Sequence, residues 1–244
     1  MNSVAPFWLQ LYQQSQQIDL HNTQVEHMQL NHDLSQNARV NLGQSEWLPS
    51  PAAGVKRLIL EREGGEKTIR ATSIVAYAPN SKFAAHSHPK GEEFYVLAGT
   101  FSDQYGDYPA GSYVRNPPGS SHAPFSQNGC LIWVKLQQFS PDDNQHCVIS
   151  TFEAEKNITS SDFHKQSLFD DYEGVDLLNA QQDFVLSQSD FDDGVEILIL
   201  VGQLSNGEHI HQQGSWLRFA AGRSEDIRVS KHTQLLVKSR HLRR

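Results

Sequence analysis

Residues 86–122 read HSHPKGEEFYVLAGTFSDQYGDYPAGSYVRNPPGSSH, and two short strings inside this stretch decide the fold. The first is His86-Ser-His88, three residues, Glu92, then six residues to Gly99; the second is Gly111, five residues, Pro117-x-Gly119, two residues, His122. Successive strand side chains point to opposite faces, so His86 and His88 present both imidazoles to one side. A turn at Pro89, Lys90 and Gly91 reverses the chain. In the next strand Glu92, Phe94 and Val96 share one face while Glu93, Tyr95 and Leu97 share the other. With the first face inward, a carboxylate joins the two imidazoles. Tyr113 to Arg115 form a further strand, and the Pro117-Pro118-Gly119 corner returns His122 to the same interior. Three neutral imidazoles and one carboxylate suit zinc, iron, manganese, nickel or copper. His86, His88, Glu92 and His122 are therefore expected to form one mononuclear metal site. A lone histidine such as His21 or His232 reads instead as a surface or hydrogen-bonded core residue.

These two strings resemble the signature motifs of the cupin superfamily. The run from Trp47-Leu-Pro-Ser-Pro through Gly91-Glu-Glu, Gly106-Asp-Tyr-Pro-Ala-Gly, Val114-Arg-Asn-Pro-Pro-Gly and His122-Ala-Pro to Gly129-Cys resembles the cupin domain of ChrR-type anti-sigma factors. The resemblance covers roughly residues 40 to 138. It implies the same four ligands, with zinc as the metal of the regulatory members. Ser126 stands where the superfamily's second motif often has Asn.

A shift of 103 residues aligns 91–122 with 194–225 without a gap, with ten identities in 32 positions. Gly91, Glu93, Leu97, Gly99, Ser102, Gly111, Ser112, Arg115, Gly119 and Ser121 recur as Gly194, Glu196, Leu200, Gly202, Ser205, Gly214, Ser215, Arg218, Gly222 and Ser224. The same strand and turn plan is used twice. The expected fold class is all-β: two tandem cupin domains, each a jelly roll or β-barrel, behind a short N-terminal helical extension. The expected division is 1–35, extension; 36–142, metal-binding cupin; 147–240, degenerate cupin. In the second module Ser189, Phe191, Val195 and Glu225 stand opposite His86, His88, Glu92 and His122, so that module is expected to hold no metal. Glu93 and Arg115 persist where no metal is expected, which points to a structural pairing across neighbouring strands. His209 and His211 align with the hairpin and read as solvent-facing.

Phe7, Trp8, Leu11 and Tyr12 fall at helical spacing, with Ser3 as N-cap and Pro6 in the tolerant first turn. Val55 to Arg62, Thr68 to Ala78, Phe94 to Ala98, Ser112 to Arg115 and Leu131 to Lys135 read as strands. Ser140-Pro-Asp-Asp-Asn144 reads as the linker between modules, and Lys238–Arg244 as a solvated, frayed tail.

The net charge of −8 and the lack of a strong basic stripe argue against direct nucleic-acid binding. No apolar run approaches the roughly 20 residues of a membrane span, and no basic segment leads into an apolar one at the N-terminus, so a cytoplasmic protein without membrane contact is expected. Cys130 and Cys147 cannot make a disulfide framework, and Cys130 reads as a buried inert thiol.

In a small barrel the four ligands leave an open position where a small molecule can bind. Phe94, Tyr113, Phe125 and Trp133 are the expected cavity lining, an apolar set suited to a modest organic or oxidised ligand. The ChrR resemblance implies a regulatory or sensor role and a sigma factor as partner. The sigma-binding domain of that family uses a His and a Cys-x-x-Cys, yet no Cys precedes Cys130 here, so a complete sigma-binding domain is not expected ahead of the barrel. The alternative is a metal-dependent enzyme, a dioxygenase or isomerase, for which Glu93, Tyr95 and Tyr108 are the available acid or base groups. A third reading has the metal stiffen a closed barrel. Homodimerisation through the sheets is expected.

Overall fold

The computed structural model describes residues 6–18, 28–65, 67–151, 163–222 and 226–242. The expectations for Ser3, His21 and Glu225, and for the last two residues of the basic tail, fall outside them. The chain is mostly β-strand and divides into two compact units: residues to His32 with Glu46–Ser150, and Asp33–Ser45 with Thr151 onward.

In the first unit the antiparallel order is Met28–Leu30, Val55–Gly64, Thr68–Tyr77, Cys130–Leu136, Glu92–Asp103, Ser112–Asn116, Cys147–Ser150. Alternation puts Phe94, Val96, Val75, Tyr77, Val114, Ile132 and Val134 into one buried cluster. Each such side chain contributes about 1.5–3 kcal/mol of transfer free energy, which holds the barrel closed around its interior. The expected helix forms over Pro6–Gln17 and buries Trp8 and Leu11. Tyr12 Oη donates to the Tyr77 carbonyl at 3.3 Å, which ties this helix to the barrel wall.

The second unit repeats the order with Phe163–Asp170, Gly174–Ala180, Thr233–Ser239, Val195–Val201, Ser215–Phe219 and Ala38–Asn41. Its edge strand comes from residues 38–41, which lie within the stretch expected to begin the first module. These residues pair with Ser215–Phe219, Ala38 opposite Arg218, a register too distant in the chain for local pattern to reveal. The repeat extends to the irregularities. A β-bulge passes over Leu97 between the pairs Leu131–Ala98 and Ile132–Val96, and another passes over Leu200 between Ile199–Leu235 and Val201–Gln234. Bulges over Leu60 and Leu168 match in the same way.

Gly99 shows why the turn glycines recur. Its φ is +73°, and a Cβ there would lie 2.1 Å from the Gly129 carbonyl oxygen, a backbone atom that cannot step aside. Gly99→Ala is expected to destabilise the first module by at least about 2 kcal/mol, read as a lower urea midpoint at unchanged slope. An unchanged midpoint would mean that the two backbones are not held at this distance.

Glu93 lies in register between Arg115 and Lys135, on the face opposite Glu92, and all three are 0% exposed. Arg115 Nη1 lies 3.5 Å from Glu93 Oε2, its Nη2 is 2.6 Å from Asp143 Oδ2, and its guanidinium covers the Phe139 ring at 3.6 Å. Tyr113 Oη donates to Glu93 at 2.7 Å, and Lys135 Nζ donates to Thr72 Oγ1 at 2.8 Å. The expected pairing of Glu93 with Arg115 is thus present. The second unit carries the same row as Arg218, Glu196 and Lys238, with Lys238 on Glu173 at 2.7 Å and His241 on Glu196 at 3.1 Å.

Two expectations need correction. Ser140–Asn144 is not a linker: Asp143 is buried beneath Arg115, and the chain then adds Cys147–Ser150 to the first sheet. Nor does the basic tail fray through residue 242. Lys238, His241 and Leu242 are buried, because the tail's cations meet acids of the second unit, Arg240 pairing with Asp170.

Candidate metal centre

His86–His88 and Ser120–His122 form a two-stranded ribbon with His86 opposite His122 and His88 opposite Ser120. The corners on either side are closed on one atom, the His88 carbonyl, which accepts from Gly91 N at 3.1 Å and Gly119 N at 2.9 Å. Period two along the first strand and direct opposition across the ribbon bring three imidazoles together. Their ring centroids are 4.8, 4.9 and 5.1 Å apart, and one nitrogen from each lies within 4.8 Å of the others. Glu92 begins the next long strand, and its Oε2 is 3.5 Å from both His88 Nε2 and His122 Nε2. The four residues expected to meet do meet.

Neighbouring groups set the orientation of the donors. His86 Nδ1 lies 2.9 Å from the Ala84 carbonyl and His122 Nδ1 3.1 Å from Asp103 Oδ2. A proton on each Nδ1 satisfies these acceptors and leaves the lone pair on Nε2. Asp103 is held in turn, its Oδ1 accepting from Tyr105 N at 2.8 Å and Tyr108 Oη at 3.3 Å. Asn116, in register with Glu92, donates to Glu92 Oε2 at 3.1 Å. Sequence reasoning missed Asp103 and Asn116. Asn116 was accessible from the pairing of the two strands, whereas Asp103 needed the curl of the barrel.

Burial, and after it the nearby His86, pushes the His88 imidazole down to about 4, so it is neutral at pH 7. Burial raises Glu92 against the pull of His122 and the Asn116 hydrogen bond. His88 Nε2 and His122 Nε2 are buried and have no hydrogen-bond partner among the described residues. Leaving a buried polar atom unsatisfied costs about 1–3 kcal/mol. Two such lone pairs beside a third imidazole and a carboxylate fit a divalent transition-metal ion, whose bonds of about 2.0–2.2 Å use those atoms.

The cluster opens on a cavity of about 620 Å³. All four residues line it, with Arg57, Arg62, Ser73, Val75, Tyr77 and Phe83 among the others. His88 and His122 also border a second cavity of about 360 Å³ on their other flank. A site closed to ligands, the sign of a purely stiffening metal, is not what these cavities form. The expected lining is wrong in all four residues. Phe94 packs into the barrel core, Tyr113 turns to Glu93, Trp133 shares its face with Lys135, and Phe125 is partly exposed. The aromatic walls are Tyr77 and Phe83, supplied by Thr68–Tyr77 and the loop before His86.

The candidate acid and base groups are also accounted for. Glu93 belongs to the buried row, and Tyr95 lies on the same outward face. Burial and Asp103 push Tyr108 up to about 12. Cys130 is buried with its thiol likewise pushed up to about 12, consistent with an inert thiol.

In the second unit Ser189 and Phe191 lie in a 3-10 turn, Gln188–Phe191, in place of the histidine strand, and Val195 is buried. Among the described residues no cluster of metal-ligating side chains forms there. His209 is exposed, and His211 is half-buried with its Nε2 at 2.8 Å from Asn206 Oδ1.

These features describe two modules of one antiparallel barrel plan, and solved structures share the fold. A putative dioxygenase from Nostoc punctiforme superposes with a TM-score of 0.66 at 14% identity, covering 84% of this chain and 82% of that one. The YlbA protein of E. coli superposes with 0.62 at 13%, covering 87% and 94%, and the pirin YhhW of E. coli, in complex with nickel(II), with 0.61 at 12%, covering 84% and 98%. Residues 35–140 match the ChrR Cupin-like domain model, so the first module is similar to the cupin domain of ChrR. No curated protein sequence matches it. Among the described residues no helix is long and apolar enough to cross a membrane.

Proposed function

We propose that His86, His88, Glu92 and His122 hold one divalent transition-metal ion, and that this centre makes the first barrel a small-molecule receptor in a ChrR-like regulatory protein. The observation that carries the reading is the pair of buried Nε2 atoms on His88 and His122 that have no hydrogen-bond partner among the described residues, set beside His86 and 3.5 Å from the Glu92 carboxylate. Zinc is the metal implied by the resemblance, and iron, manganese and nickel accept the same donors. When bound, such an ion supplies a Lewis-acidic open position for an oxygen or nitrogen of a ligand. Asp103 orients His122 and Asn116 orients Glu92.

The cellular setting belongs to the same proposal: a cytoplasmic chain, dimeric through its sheets, with a small ligand and a sigma factor as partners and with no direct contact to nucleic acid. Affinity purification from a bacterial host is expected to recover a sigma factor that leaves when the metal is removed or the ligand bound. Recovery of no sigma factor under any of these conditions contradicts the regulatory role. The cavity at the donors also favours a second reading, a metal-dependent oxygenase or isomerase. Its sign is dioxygen uptake or substrate turnover by iron-loaded protein, abolished in His122→Ala.

Asp103→Asn keeps the shape of the side chain and removes the charge facing His122 Nδ1. It is expected to weaken metal binding by about 10–100-fold with little change in thermal stability of the metal-free protein. Equal affinity in a chelator competition would show that Asp103 does not orient the ligand.

A further inference from the structure

The strand Thr68–Tyr77 sends two hydroxyls into the cavity of the first barrel. It lies between Val55–Gly64 and Cys130–Leu136, so its backbone is paired along both edges. Alternation brings Ala71, Ser73, Val75 and Tyr77 to the cavity wall, while Thr72 on the other face receives Lys135. Ser73 and Tyr77 are each 4% exposed. The Tyr77 carbonyl accepts from Tyr12, but neither the Tyr77 hydroxyl nor that of Ser73 has a hydrogen-bond partner among the described residues. Arg57 and Arg62, on the same wall, are engaged by the carbonyls of Pro49, Gly64 and Gly65. A buried hydroxyl without a partner costs about 1–3 kcal/mol, so these two call for an acceptor inside the cavity.

Tyr77 stands one ring away from the metal-site imidazoles by two routes. Its ring centroid is 6.2 Å from that of Phe83 and 5.4 Å from that of Phe101. Phe83 in turn lies 5.6 Å from His86, and Phe101 6.0 Å from His122. Burial first, and then Cys130 and Glu92, push the Tyr77 phenol well above its usual value. It therefore keeps its proton at pH 7 and acts as a donor.

The second unit supplies an internal comparison. Ala180 pairs with Thr233 as Tyr77 pairs with Cys130, and Asp176 pairs with Val237 as Ser73 pairs with Val134. The shift of 103 residues relates every one of these positions. Where the first barrel has the phenol, the second has a methyl group packed into its core. Where the first has the Ser73 hydroxyl, the second has a carboxylate held by Lys165 at 2.9 Å. The buried row of Glu, Arg and Lys persists in both units, whereas the cavity hydroxyls and the histidines are absent together from the second.

We propose that the first barrel binds a small carbonyl compound with an apolar body, its oxygen accepting a hydrogen bond from Tyr77 Oη, with Ser73 Oγ as the second donor on the same wall. Val75, Ile132 and Val134 line the cavity beside the two hydroxyls and suit a hydrocarbon body. A cavity of about 620 Å³ lies within the range of small-molecule sites. The proposal names the ligand class of the site described under Proposed function, and it rests on that reading for the place of the ligand beside the metal.

The test is calorimetric titration of the metal-replete full chain with acetophenone, cyclohexanone and 2,5-hexanedione, each beside the alkene that carries CH2 in place of every carbonyl oxygen. At least one ketone is expected to bind, and Tyr77→Phe and Ser73→Ala are each expected to weaken it by about threefold or more while the alkene is bound as well as before or better. Tyr77→Phe keeps the ring contacts and removes no hydrogen bond within the described residues, so its melting temperature is expected to be unchanged; Ser73→Ala carries the test if it is not. No binding by any ketone of the series, wild-type ketone binding by both variants, or an equal loss for ketone and alkene overturns the proposal. Metal content of the same samples separates the two claims. Hydroxyl-dependent ketone binding by a chain that retains no metal overturns the metal centre and keeps the carbonyl site; metal retention with ketone binding indifferent to both substitutions does the reverse.

Discussion

His122→Ala is expected to cut metal retained through purification from about one equivalent per chain to under a tenth, with affinity lowered by more than about 100-fold. His122 is 4% exposed, and its Nε2 lacks a hydrogen-bond partner among the described residues. The loss is one donor of four, and Asp103 faces the far side of the same ring. The metal-free stability of this variant is expected to fall by about 1–3 kcal/mol, because one unsatisfied nitrogen is removed but the buried Asp103 Oδ2 loses its partner. Metal content by mass spectrometry and a chelator-treated melting curve check both halves. Full retention of metal by His122→Ala would move the site elsewhere.

The second large effect concerns architecture. Arg115→Met is expected to destabilise the first module by about 3–5 kcal/mol, which for a domain of this size lowers its melting transition by more than about 10 °C. Arg115 and Glu93 are both 0% exposed, and Arg115 bridges Glu93 to Asp143. Removing the cation strands two carboxylates in a medium that cannot solvate them. Replacing all three charges with well-packed apolar residues should recover much of the loss, because desolvating a buried ion set offsets most of its attraction. Two resolved transitions in calorimetry, with only the one belonging to the first unit displaced, are the expected signature. A shift under about 2 °C would assign the row little part in stability.

Much of this was legible from the chain. The four metal-site candidates follow from period two and from paired corners, because His86, His88 and His122 sit on short strands and Glu92 is the first residue of a long one, so the phase of each is set within a few residues. The repeat carried the second module, and the same shift of 103 extends without a gap to Lys135 and Lys238, which complete the buried charged row. What stayed hidden depends on registers between distant segments. Residues 38–41 look like the start of the first barrel until their pairing with Ser215–Phe219 is known. Cavity lining failed for a related reason. Strand phase alone does not tell which face is inward: Tyr113 and Trp133 fall on the outward face, and the bulge over Leu60 turns Arg62 inward where unbroken alternation places it outside. Basic residues 238–241 look like a tail because their acidic partners, Glu173, Asp170 and Glu196, lie 45 or more residues earlier in the chain.

The central claim is that three imidazoles and one carboxylate of the first module share an ion while the second module holds none. Anomalous-difference maps from crystals of the metal-replete protein test it most directly. The account predicts one peak per chain, about 2.0–2.2 Å from a ring nitrogen of His86, His88 and His122 and from an oxygen of Glu92. A map without a peak at those four residues, or with its strongest peak in the second module, would contradict it.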